Sequence, residues 1–178
     1  ITGGMSGTNV QPASLVAGAQ GNVAVSFTNS STIPSDGIVQ VILPNSLGNG
    51  FVANSGGTTA VSASSLTGSF SVSTATTSTS TIVTVTRSGG STTANGAQTI
   101  TLTNIKNPDI TGSTGTYTIR TLTSADVVVE EATGVTADTI TAGSITSPNI
   151  QPASLVASAV GTVAVTLTTT NPIPANGK

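Results

Sequence analysis

The chain contains no cysteine, no histidine and no tryptophan. Without cysteine there is no disulfide framework to report the compartment. Without histidine or cysteine, the many serines have no imidazole partner and no thiolate exists, so nucleophilic catalysis and ordinary zinc or haem sites are excluded. Charged residues make up only 6% of the chain, against about 25% in an average globular protein. Arg87, Arg120, Lys106 and Lys178 are the only cations. That leaves no basic footprint for nucleic acid, and none is expected as a partner. Apolar residues are scattered Val, Ile and Ala, and no run reaches membrane-spanning length, so a soluble chain without a transmembrane helix is expected. No secretory leader is visible, and a start inside a repeat points to a longer precursor that carries the targeting signal. Aromatics are confined to Phe27, Phe51, Phe70 and Tyr117, too few and too strand-like to form a stacking platform for glycan.

What the chain does have is a repeat. Asn149 to Gly177, NIQPASLVASAVGTVAVTLTTTNPIPANG, is a second copy of Asn9 to Gly37, NVQPASLVAGAQGNVAVSFTNSSTIPSDG, displaced by 140 positions without a gap. A period this long is a whole domain rather than a solenoid rung, which points to a tandem array or a polymer of like units. The second copy stops at Lys178, where the first enters its apolar run Ile38–Leu43. It therefore holds the opening of a domain without its remainder, and a neighbour is expected to complete it.

About a third of the residues are Ser or Thr, so the surface is read as hydroxyl-rich rather than ionic. Alternation at period two marks strands nearly throughout: Val23, Val25 and Phe27; Ile100 and Leu102; Tyr117 and Ile119. Val39, Val41 and Leu43 share one face of a run whose other face carries Ile38 and Ile42, which predicts a central strand covered on both sides. Further strands are expected near Thr58–Ala63, Ser69–Ser73, Thr79–Arg87 and Asp126–Glu131. Turn signals stand at Ser35-Asp36-Gly37, Ser88-Gly89-Gly90, Asn95-Gly96 and Gly112–Gly115. Seven to nine short strands in one domain of this size predict an all-β fold, a β-sandwich of immunoglobulin-like type. The expected division is a connector at 1–12, the sandwich at 13–134, a linker at 135–152 and the first strands of the next repeat at 153–178.

The stretch Thr136 to Leu155 divides into fives, TADTI, TAGSI, TSPNI and QPASL, which spaces Ile140, Ile145, Ile150 and Leu155 evenly; the N-terminal copy keeps Met5, Val10 and Leu15. It is read as an extended linker whose aliphatic residues dock on neighbouring domains, a short β-helical thread being the other reading. Val163, Val165 and Leu167 match Val23, Val25 and Phe27. They are expected, with Ile145, Ile150 and Leu155, to be the assembly residues.

The six acids are Asp36, Asp109, Asp126, Glu130, Glu131 and Asp138. Asp36 becomes Asn176 in the second copy, which suits a turn and not a catalytic carboxylate. Asp126, Glu130, Glu131 and Asp138 are expected to gather near the domain exit, where oxygen ligands for calcium would stiffen a junction; no EF-hand spacing supports this. The sequon Asn29-Ser30-Ser31 marks Asn29 as an N-linked glycan acceptor at an exposed strand end. Thr-x-Thr patterns such as Thr99–Thr103 invite an ice-binding reading, but the outward face of a twisted strand explains them.

The string Val23–Thr28 followed by Ile33-Pro34-Ser35-Asp36-Gly37 and Ile38–Pro44 resembles the tandem immunoglobulin-like repeats of very large surface proteins and extracellular filaments of algae and other protists. Its second opening at Thr168–Lys178, and Asn107-Pro108 with Gly115–Thr121, fit the same pattern. The resemblance implies an extracellular or cell-surface scaffold, filament or adhesive stalk, and carries no catalytic residues. The expectation is a non-enzymatic structural subunit that assembles with copies of itself, head to tail, through β-strand contacts and with covalent glycans. No cofactor is expected. The alternative is an adhesin module recognising glycan or another surface.

Overall fold

A computed structural model describes residues 3–47, 50–171 and 173. Among these residues every regular element is a strand. In chain order they are β1 (Gly3–Gly4), β2 (Ser6–Pro12), β3 (Gln20–Asn29), β4 (Ile38–Pro44), β5 (Val61–Ala63), β6 (Ser69–Thr76), β7 (Ser80–Ser88), β8 (Gly96–Lys106), β9 (Gly112–Ser113), β10 (Tyr117–Leu122), β11 (Val128–Val135), β12 (Thr139–Ile140), β13 (Ile145–Pro152) and β14 (Val163–Thr169). One sheet runs β2-β3-β8-β5, and a six-stranded sheet runs β1-β11-β10-β4-β7-β6. All ladders are antiparallel except β1 with β11.

The two sheets share one core. From the smaller sheet come Val23, Val25 and Phe27 with Ile100 and Leu102, and from the larger one Val39, Val41, Leu43, Val83, Val85 and Ile119, all buried. Alternation does this work: each strand turns every second side chain inward, and β-branched residues fit the pleated, half-buried surface. β4 lies between β10 and β7, at the centre of its sheet. Its neighbour β7 carries Arg87 into the interior, where, among the described residues, the guanidinium donates only to backbone carbonyls: Pro34 O at 2.8 Å, Ser91 O at 2.9 Å and Thr67 O at 3.0 Å. Burial lowers its pKa. Arg87 thus ties three loops together at one end of β7.

Several boundaries differ from the sequence expectation. Residues 1–12 are not a connector throughout, since β2 is an integral strand and Val10 belongs to the core. Residues 135–152 are not a linker throughout either, because β12 and β13 are both strands. The five-residue spacing has a local cause. Five is odd, so in a regular strand Met5 and Val10 would face opposite ways. A β-bulge between Ser6 and Asn9, with Gly7 at φ +55°, inserts the extra residue that returns both to the core side. The turn after β3 closes by Gly37 N–H donating to Pro34 O at 2.9 Å, with neither Asp36 nor Gly37 at positive φ. A Cβ at Gly37 would sit 3.0 Å from Pro34 O and 3.2 Å from Ile33 Cγ2, so a larger residue would crowd this turn. The second turn, at Pro174–Gly177, lies outside the described residues.

Candidate functional site

β13 and β14 form a two-stranded sheet of their own, and it is a replica of β2 and β3. In the first hairpin Asn9 faces Ser26, Val10 faces Val25 and Pro12 faces Val23; in the second Asn149 faces Thr166, Ile150 faces Val165 and Pro152 faces Val163. The bulge recurs between Thr146 and Asn149. At the loop, Ala13 N–H donates to Asn22 O at 2.8 Å and Ala153 N–H to Thr162 O at 2.9 Å. Ser14 Oγ accepts from Val16 N–H, and Ser154 Oγ accepts from Val156 N–H, both at 3.2 Å. Even the left-handed residues coincide, Gly7 with Ser147 (φ +49°) and Gly18 (φ +69°) with Ser158 (φ +62°). A serine there costs on the order of 1 kcal/mol where glycine costs nothing comparable.

Surroundings, not backbone, separate the copies. β3 is flanked by β2 and β8, and its Val23, Val25 and Phe27 are 1%, 0% and 1% exposed. β14 pairs with β13 alone among the described residues, and Val163, Val165 and Leu167 are 54%, 62% and 46% exposed. Ile145, Ile150 and Leu155 are exposed with them. The six expected assembly residues therefore lie on one hairpin. Its long free edge carries no charged side chain to discourage pairing.

The body between the hairpins has two poles. At the entry pole, Gly3 and Gly4 run parallel to Glu130 and Glu131, and Ser6 faces Thr28 near the end of β3. Glu130 is fully buried there, and its Oε1 accepts from Ser30 N–H at 2.8 Å, Ser31 N–H at 2.9 Å and the Ser30 hydroxyl. Its Oε2 has no partner among the described residues. At the exit pole, beyond the other end of β3, Thr141 N–H donates to Leu15 O and Ala17 N–H to Thr141 O, both at 2.8 Å. Asn107 Nδ2 donates to Ser14 O and Val16 O at 2.6 and 3.0 Å. Asn171 Nδ2 donates to Ala17 O at 2.9 Å, which roots the C-terminal hairpin at this pole. Chain entry and chain exit are at opposite ends of the body.

The expected glycan site and the calcium site weighed beside it both fail on geometry. Asn29 is 1% exposed; its amide donates to Ser31 O at 2.6 Å and its carbonyl oxygen accepts from Gln98 Nε2 at 2.9 Å. No space or free amide nitrogen is left for a sugar in the folded domain, so Asn29 is a structural residue and not a glycan acceptor. The four acids proposed for calcium are dispersed as well. Glu130 is at the entry pole, Glu131 pairs with Arg120 at 2.6 Å, Asp138 accepts from Tyr117 Oη–H at 2.8 Å, and Asp126 occupies a left-handed turn position. Among the described residues no group of three His, Cys, Asp or Glu is placed to hold a metal ion. Phe27, Phe51 and Tyr117 are buried, and Phe70 packs against the core.

No protein-family model matches the chain, and no curated protein matches it. No described helix is long and apolar enough to cross a membrane.

Proposed function

We propose that this chain is a non-enzymatic structural repeat of an extracellular fibre, joined head to tail through β-strand contacts. The observation that carries the proposal is the C-terminal hairpin: a folded replica of a core element, rooted at one pole, with its core face in water. Burying three side chains already about half covered would gain on the order of 3 kcal/mol, and pairing the free edge of β14 adds a ladder. Opposite poles for entry and exit favour an open line of units over a closed dimer.

An immunoglobulin-like form of the sandwich is supported by part of the strand order. β2, β3, β8 and β5 take the places of strands A, B, E and D, while β4, β10 and β11 take those of C, F and G. The fit is incomplete, because β5 precedes β6 and β7 in the chain. An extracellular location is supported by the hydroxyl-rich, charge-poor composition.

Electron microscopy of the native material tests the reading. Fibres with an axial repeat of one body are expected, with the hairpin of residues 145–169 seated on the next body. Native fibres in which that hairpin makes no contact with the next body would show that it is not the coupling element.

A further inference from the structure

The C-terminal hairpin is unable to serve its own body. To replace the first hairpin it would need Thr146 where Ser6 is, opposite Thr28, but the chain leaves the body at Thr141, bonded to Leu15 and Ala17 beyond the Gln20 end of β3. From Gln20 to Thr28 is eight residue steps along a strand, about 27 Å. The five residues from Thr141 to Thr146 span at most about 18 Å when fully extended. The hairpin is therefore available only to another body.

An intact second copy is a poor acceptor, because its groove is already filled. The occupant holds glycine at both left-handed positions where the C-terminal hairpin has Ser147 and Ser158, it presents Phe27 where the copy has Leu167, and it is tethered to the groove it fills. Exchange would trade a relaxed, intramolecular fit for a strained, intermolecular one.

We infer that the C-terminal hairpin completes a second body of this kind that has no first hairpin of its own, in the register of the first copy: Val163 opposite Leu102, Val165 opposite Ile100 and Leu167 opposite Gln98 of the acceptor. The inference rests on the head-to-tail reading above and names its partner and its pose. The register is that of β3 with β8, where Val23 faces Leu102, Val25 faces Ile100 and Phe27 faces Gln98. A second anchor fixes the pose independently. Glu130 is a buried carboxylate whose three hydrogen bonds all come from Ser30 and Ser31, immediately after β3. Their counterparts Thr170 and Asn171 keep both backbone N–H donors, and Thr170 keeps the hydroxyl; in the undocked hairpin the Thr170 N–H and hydroxyl donate to Ser144 O at 3.2 and 2.9 Å and would exchange that carbonyl for the carboxylate. The acceptor's Glu130 would take the same three bonds from them. Gly143 and Ser144, the counterparts of Gly3 and Gly4, would run parallel to the acceptor's Glu130 and Glu131.

The full-length chain tests this, because one substitution vacates its groove. Val25→Asp places a carboxylate in the core face of the first hairpin and should eject it. The wild type and Val165→Asp should both be monomers by light scattering. Val25→Asp should form end-to-end oligomers whose mean mass at least doubles as concentration rises, and adding Val165→Asp should abolish them. In a mixture of wild type with Val25→Asp, the amides of Val163–Thr169 in the wild type should become protected from hydrogen exchange, which reads the docking even if Val25→Asp alone is poorly folded. If the wild type polymerises with its first hairpins in place, the vacant-groove inference is overturned while the head-to-tail reading stands. If Val25→Asp oligomerises regardless of Val165, or leaves Val163–Thr169 unprotected in the mixture, the proposed pose is wrong. Absence of fibres in native material would remove both.

Discussion

Val25 and Val165 occupy the same place in two copies of one hairpin, with the same cross-strand partner type, the same bulge and the same loop bonds, yet one is sealed in the core and the other is 62% exposed. The pair separates two contributions that a single structure usually confounds. Local sequence, through the bulge, the Ser14 or Ser154 loop bond and the alternation of Val with small polar residues, suffices to define the hairpin. Burial does not follow from it. What seals Val25 is β8 and the opposing sheet, both supplied by residues distant in sequence. A strand's pattern says which face wants covering, and the remainder of the fold decides whether anything covers it.

The largest expected effect breaks the symmetry of the copies directly. Phe27→Ala removes a fully buried ring from the core and should cost about 3–5 kcal/mol. Leu167→Ala, at the equivalent position, should change the stability of the isolated chain by less than about 0.5 kcal/mol. Denaturant unfolding of both variants checks the difference. Equal losses would mean that the C-terminal hairpin is covered in solution by part of the same chain, contrary to the reach argument.

A smaller contrast concerns the ends of the two hairpins. Glu130→Ala leaves the N–H groups of Ser30 and Ser31 and the Ser30 hydroxyl without their acceptor in a buried site, and should cost about 3 kcal/mol. Thr170→Ala removes the corresponding hydroxyl from the second copy, where it donates to exposed Ser144 O, and should be nearly neutral in the monomer. Both values come from thermal melts of the same chain. A neutral Glu130→Ala would mean that the entry pole is not anchored by this carboxylate, and would remove the second contact on which the docking pose depends.

Much of this was readable from the residues, for reasons that also mark where reading stops. The 140-residue displacement follows from copy matching, the strands β3, β8 and β10 from period-two alternation, and the central place of β4 from apolar residues on both of its faces, all of which are local patterns. The role of residues 1–12 was not readable: Ser6–Pro12 carries only Val10 as an aliphatic residue, and its membership of the core depends on pairing with β3. Asn29 reads as a sequon by composition, while its burial is decided by Gln98 and Ala94, over sixty residues away. Glu130 and Glu131 are neighbours in sequence and read as one acidic cluster, but alternation along β11 sends one into the entry pole and the other to Arg120. Arg87 gave no signal at all, because its partners are carbonyl groups that every residue possesses.

The smallest predicted contrast uses pH to separate body from hairpin. Residues 145–173 contain no titratable side chain, so their hairpin should be indifferent to alkali. The body has Tyr117, whose phenol is pushed up well above its ordinary value of 10.0, chiefly by burial and also by the Asp138 carboxylate that its hydroxyl donates to. A raised folded pKa means that stability is fully present below the unfolded value. It declines once the pH exceeds about 10, because there the unfolded chain ionises and the folded one does not. The melting temperature should therefore fall with rising pH above that point. Tyr117→Phe should remove the slope attributable to this phenol, at the cost of about 1 kcal/mol from the lost bond to Asp138. Hydrogen exchange on such alkaline samples, corrected for the intrinsic base-catalysed rate, should show protection falling in the core strands β4 and β10 while that of β13 and β14 stays low and constant. A parallel loss in both would mean that the hairpin's order is borrowed from the body, and that its sequence alone does not define it.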